Sequence, residues 1–195
     1  RDVAPSRGLG DVYKRQINTI CRVIAMSRLA DQYGCIIYSH YGESATGGEY
    51  DSGQDAYKKF FEELKEAADV LRTAKEKDVA SFMMFDYAYG GNLNTWAQLC
   101  NTIRLRLAMR IVKYDAAWAK SEAEAAMNDS NGLIETNDAN FGIAGNGYVN
   151  PLYGIAFNYG DGVLGANIPS ILSGMGDARL DKYATQNSKS EYFGI

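Results

Sequence analysis

Histidine and cysteine are scarce in this 195-residue chain, and their scarcity narrows the chemistry open to it. His40 is the one histidine. A Ser–His–acid arrangement therefore has a single possible base, and no nucleophile-elbow motif accompanies it. The three cysteines, Cys21, Cys35 and Cys100, are odd in number and lack metal-ligand spacing. They are expected as small buried hydrophobes rather than as a metal site. No apolar run approaches the roughly 20 residues of a transmembrane helix. The sequence as given does not open on Met or on a signal peptide, which a fragment is not expected to show. The net charge is −4, with no basic patch interleaved with aromatics, so a nucleic-acid surface is not expected. What is present is ordinary apolar content, 46%, and enough length for one domain.

The first residues stand apart from the rest. The run from Ser6 to Gln16 back-translates, in one frame, into a transposase adapter used in sequencing-library preparation, with GAT GTG TAT AAG AGA CAG encoding Asp11 to Gln16. Residues 1–16 are therefore expected to be foreign to the fold and unpacked. Native sequence would then begin at Ile17 in a reading frame cut by the end of a contig, with sequence missing at both ends. Removing 1–16 takes away four bases and two acids, leaving 16 bases against 22 acids, a net charge of −6.

Hydrophobic periodicity predicts four principal helices. In 17–33, Ile17, Ile20, Cys21, Ile24 and Leu29 keep helical spacing, and Gly34 stands where a terminating glycine belongs. A short extended run, 35–38, and a polar Gly-rich loop, 39–48, follow. The second helix, 54–73, carries the stripe Ala56, Tyr57, Phe60, Phe61, Leu64, Ala67, Ala68 and Leu71. Asp51, Ser52 and Asp55 crowd its start, where they are expected to cap free amides. An aromatic and Met cluster, 81–91, ends in a turn. The third helix, 94–113, has Trp96, Leu99, Cys100, Ile103, Leu107 and Ile111 as its core stripe, widened by Leu105, Ala108 and Met109. Arg104, Arg106, Arg110 and Lys113 gather toward its C-terminal end, as the helix dipole favours. Asp115 caps a fourth helix, 115–127. Successive helices joined by short turns imply antiparallel pairs, although there is no strict repeat of about 34 residues. From Asn128 onward glycines, asparagines and aromatics alternate without a sustained period, predicting long irregular loops of the kind that carry function. One brief helix, about 168–175, interrupts them.

Several motifs, taken in order, resemble those of the SusD/RagB-like nutrient-binding lipoproteins of Bacteroidetes. A segment like LAxxYGDIPYS is matched by Leu29-Ala30-Asp31-Gln32-Tyr33-Gly34-Cys35-Ile36-Ile37-Tyr38-Ser39. YDxQxxxYxxxxxEL is matched by Tyr50-Asp51, Gln54, Tyr57 and Glu63-Leu64. DxxYGGN, a Trp and LRLAMR are matched by Asp86, Tyr89-Gly90-Gly91-Asn92, Trp96 and the run from Leu105 to Arg110. Gly132-Leu133-Ile134, Asn150-Pro151-Leu152 and Asp177-Ala178-Arg179-Leu180 complete the series. Cys35 stands for the usual Asp, and Ile37 and Ala178 for the usual Pro.

The resemblance implies a mostly α, SusD-like fold of tetratricopeptide-like helical pairs with long irregular loops, residues 17–195 forming a fragment of a single domain. It implies no enzyme and no cofactor. It also implies a lipoprotein on the outward face of the outer membrane, held by a lipid anchor absent from this sequence. Its partners would be an oligosaccharide ligand and a SusC-like TonB-dependent channel. A peptide-capturing or purely structural lid, or more distantly a glycoside hydrolase, are the alternatives. Sugar rings stack their C–H faces on aromatics, and Asn and Asp side chains bond the hydroxyls. Tyr148, Tyr153, Asn158, Tyr159 and Asp161 supply those types in the loop region. The same aromatics can equally pin a long loop to the helices. Trp96 and Trp118 are placed in the core by helical spacing. Asp51, Asp55 and Glu62 have calcium-loop spacing but lack the turn glycine, so capping is the preferred role.

Overall fold

A computed structural model describes residues 10–44, 47–73, 83–142, 150–160 and 162–192, with side chains from Tyr13 onward. The chain divides into two compact units, 1–144 and 145–195. The first contains α1 (Gly10–Tyr33), α2 (Gly53–Thr73), α3 (Leu93–Ile111) and α4 (Ala116–Met127). α2 packs on both α1 and α3, and α4 packs on α3, so each helix covers the stripe of its neighbour in sequence. Among the described residues the sole β pairing is an isolated antiparallel bridge between Ile36 and Asp51.

Local chemistry sets the helix ends. Ser52 Oγ accepts the Asp55 N–H at 3.1 Å and donates to the Asp55 carboxylate at 2.7 Å, capping α2. Asn92 caps α3 through the Thr95 N–H, and Asp115 caps α4 through the Trp118 N–H. α1 stops at Gly34, whose φ of +81° lets its N–H bond the Ala30 carbonyl. The stripe expected on α2 is the buried set, all eight residues, and the six-residue stripe of α3 is buried too.

Two motif-bearing carboxylates tie this unit together. Asp86 is buried and accepts from the backbone N–H groups of Ala88, Tyr89 and Gly91 and from the Trp96 indole at 2.8 Å. One side chain thus folds the Tyr89-Gly90-Gly91-Asn92 turn and orients the largest core residue. Asp31 on α1 accepts the Tyr57 hydroxyl of α2 at 2.6 Å and pairs with Arg110 of α3 at 2.7 Å, joining three helices. Burial, then the bond to Asp31, pushes the Tyr57 phenol up to about 12.

Several expectations need correction. α1 starts at Gly10, not near 17, and Tyr13 lies in the core with 1% exposure while Gln16 is buried beside it. Tyr13, Ile17 and Ile20 share one helical face at i, i+4 and i+7, so packing follows register whatever the origin of the codons. Residues 1–9 lie outside the described set. The buried face of α1 also runs through Val23, Ser27 and Ala30, leaving Cys21 and Leu29 outward. Cys35 is exposed as well, and of the three thiols only Cys100 is buried, which pushes it up to about 12. Met109 is exposed rather than widening the apolar face of α3. Arg104 is not a solvated dipole partner but a buried side chain paired with Glu122 of α4 at 3.3 Å. Asp51 does not cap α2: its carboxylate accepts the Tyr38 and Ser39 N–H groups, both at 2.8 Å, and so fastens the 36–39 segment.

The second unit contains α5 (Pro151–Tyr153), which widens into a π-helical turn over Gly154–Asn158, then α6 (Asn167–Gly174) and α7 (Leu180–Tyr183). α6 packs on α7, with Pro169 and Leu180 buried. Ahead of α7, Asp177 accepts the Arg179 N–H at 2.9 Å and pairs with its guanidinium, which holds the carboxyl down at about 2.

Candidate functional site

The segment expected to be an irregular loop contains a helical turn with a solvent-facing aromatic surface. Asn150 Oδ1 accepts the Leu152 N–H at 2.9 Å, and Pro151, with φ preset, occupies the first helical position. The turn then widens, the Tyr159 N–H reaching the Gly154 carbonyl at 3.1 Å. π turns of this kind recur at functional sites. Here the geometry stacks Tyr153 on Phe157, ring centroids 4.8 Å apart and planes 27° from parallel. Both rings are more than half exposed, and Tyr159 is 76% exposed. The stacked pair forms an apolar plate two rings thick, and Asn158 beside it offers two donors and an acceptor. An uncharged plate with an amide at its edge suits a ligand with one apolar face and a hydroxylated rim.

Of the five residues singled out in the sequence, Tyr153, Asn158 and Tyr159 fall on this one turn. Tyr148 and Asp161 lie outside the described residues. Phe157 is the member that sequence reasoning passed over. Its spacing of four from Tyr153, directly after an Asn-Pro helix start, is the signal that finds it.

The competing chemistries find their groups already committed. His40 is partly exposed and bonded to Glu43 at 3.0 Å, whose carboxylate raises the imidazole's affinity for its proton. Of the adjacent carboxylates on α2, Glu62 pairs with Lys59, while Glu63 takes both Arg22 and the Tyr38 hydroxyl. Asp51, Asp55 and Glu62 point to separate partners, and among the described residues no group of three acids, His or Cys converges on a metal position. Trp96 is buried, and Trp118 is half-buried with its ring edge-on to Phe61 at 5.5 Å.

A concavity lies in the first unit, between the end of α1 and residues 35–44 and 47–50. It encloses about 930 Å³ and is bordered by Tyr33, Tyr41 and Tyr50. The close approach of Gly48 to the His40 carbonyl, where a Cβ would overlap backbone, helps form its far wall.

The family described as SusD and RagB outer membrane lipoproteins matches residues 8–195. Among solved structures, a SusD homologue from Bacteroides vulgatus is 35% identical, with a TM-score of 0.82 over 96% of this chain and 38% of its own. A chitin-binding SusD homologue from Flavobacterium johnsoniae is also 35% identical, with a TM-score of 0.83 over 92% of this chain and 38% of its own. A SusD homologue from Bacteroides uniformis is 33% identical, with a TM-score of 0.78 over 92% of this chain and 38% of its own. The chain thus spans about two fifths of the length of these relatives. No curated protein sequence matches it.

Proposed function

The chain belongs to the SusD/RagB family of outer membrane lipoproteins, and from that premise we propose that it holds neutral oligosaccharides at the cell surface without turning them over. The observation that carries this reading is the exposed Tyr153–Phe157 plate with Tyr159 and Asn158 beside it. A stacked pair left in water offers a ready surface to the C–H face of a pyranose ring. A related chain of similar fold is a chitin-binding protein, which supports the same ligand class. Delivery to a SusC-like TonB-dependent channel, and attachment through a lipid anchor, are parts of this proposal that rest on family membership.

The test is isothermal titration of a panel of neutral chito-, malto- and cello-oligosaccharides against the protein and its Tyr153→Ala, Phe157→Ala and Tyr159→Ala variants. Loss of one stacking ring is expected to cost about 1 kcal/mol, roughly fivefold in affinity. Each variant should melt within about 3 °C of the parent, because these rings are exposed. Normal binding by all three variants contradicts the placement of the site. Binding of peptides with no affinity for any glycan of the panel favours a peptide-capturing lid.

A further inference from the structure

The concavity between α1 and residues 35–44 and 47–50 is walled by a different chemistry from that of the plate. Its rim carries three tyrosines, Tyr33, Tyr41 and Tyr50, which are 75%, 85% and 69% exposed. Its floor is aliphatic, built from Met26, Leu29 and Ile37. Arg22 is the one charged side chain among the described lining residues, and it is spent: both Glu63 carboxylate oxygens accept from it at 2.8 Å, and it lies over the Tyr38 ring at 5.1 Å. The cavity therefore presents no free charge, which disfavours phosphates, uronic acids and the ends of peptides.

The base of the groove is anchored. Asp51 fastens Tyr38 and Ser39 by two 2.8 Å bonds, and the Ile36–Asp51 bridge closes the base of the loop. Three large aromatics held in water around an aliphatic floor contribute little to the core. Their arrangement matches a ligand that is neutral, flat-faced and hydroxylated at its edges, and that carries a small apolar substituent. The volume is within the roughly 300–1,000 Å³ of ligand cavities.

We propose that this groove is a second carbohydrate site, separate from the Tyr153–Phe157 plate, that takes a neutral N-acetylated hexosamine unit with its rings against the tyrosines and its acetamido methyl on the Met26, Leu29 and Ile37 floor. The proposal shares only its ligand class with the reading above.

Cys35 lines the groove and is exposed, whereas Cys21 is exposed but lines no part of it, so the chain carries its own probe and its own reference. Iodoacetamide labelling of the 195-residue protein, read by peptide mass mapping, reports each thiol separately. With tri-N-acetylchitotriose at about ten times its Kd, Cys35 labelling should slow about tenfold, because only the free fraction reacts, while Cys21 keeps its rate. Tyr41→Ala and Tyr50→Ala should abolish that protection with an unchanged circular dichroism spectrum, and Tyr153→Ala should leave it intact. Cellotriose, which has no acetamido group, should protect poorly. Sugar binding in the titration with Cys35 unprotected overturns the groove proposal alone. Equal protection by cellotriose overturns the acetamido assignment. Loss of protection in Tyr153→Ala places the sugar on the plate instead, and no binding of any glycan overturns both readings.

Discussion

At Asp51 a single carboxylate holds the 36–39 segment to the start of α2, and its titration should be visible in stability. Burial alone would raise its pKa, but the hydrogen bonds from Ser39 and Tyr38 outweigh it, so the folded pKa lies below the ordinary value of 3.8. A depressed folded pKa contributes stability that is complete above the unfolded value and drains away as pH falls through the folded one. Asp51→Asn should therefore cost about 1–3 kcal/mol at about pH 6. The gap in thermal melting between parent and variant should narrow toward about pH 3. A constant gap across that range contradicts this role. The cysteines supply a second check at this scale. In the native protein two thiols should react with a disulfide reagent, with Cys21 slowed because desolvation and the nearby Asp86 charge raise its pKa. Cys100 should react only after denaturation. At Trp96 the structure predicts the reverse of a ligand platform. Trp96→Ala should cost about 3–5 kcal/mol as a core truncation. Asp86→Ala should cost about 1–3 kcal/mol for the stranded indole N–H alone. Denaturant melts of both variants measure these losses, and a Trp96→Ala protein as stable as the parent would sink the assignment.

Helices with a one-sided apolar period were readable from sequence, because burial of one face requires that period. The eight-residue stripe of α2 is its buried set, the six-residue stripe of α3 is buried along with further residues such as Ala97 and Asn101, and the brief helix expected near 168–175 is α6 at Asn167–Gly174. The extended run at 35–38 was legible too, though its partner, the backbone of Asp51, was not, since bridge pairing is a long-range choice. α1 was harder. Its face mixes Gln16, Ser27 and Ala30 with Tyr13, Ile17, Ile20 and Val23, so the expected Ile17, Ile20 and Ile24 do meet the core while Cys21 and Leu29 turn outward. Arg104 misled as well, because the sequence groups it with the basic residues toward the end of α3, whereas it lies well inside the helix and its partner, Glu122, is on the next helix. In the candidate site, Tyr153, Asn158 and Tyr159 were singled out by residue type. The turn that groups them with Phe157 was missed because three α residues and one π turn are too short to show a period. The three groove tyrosines belonged to separate segments, and only folding brings Tyr33, Tyr41 and Tyr50 around one cavity.

For the whole molecule, several large apolar side chains stand exposed among the described residues. Met83, Met84, Phe85 and Tyr87 follow one another closely and are each at least half exposed, and Met109, Met127, Ile171 and Met175 are also exposed. Patches of this kind favour association, so light scattering coupled to size exclusion should show mass rising with protein concentration, and a strictly monomeric profile at all concentrations would contradict that expectation. A net charge of −4 opposes association only weakly. Capture of neutral glycan is the central proposal, and it rests on the family and on the solvent-facing aromatics. The measurement that tests it most directly is titration calorimetry of neutral oligosaccharides, chitotriose among them, on the parent protein beside its Tyr153→Ala, Phe157→Ala and Tyr159→Ala variants. The account predicts saturable binding by the parent and about fivefold weaker binding by variants that melt normally. No heat with any glycan, or parent-like affinity in all three variants, would contradict it.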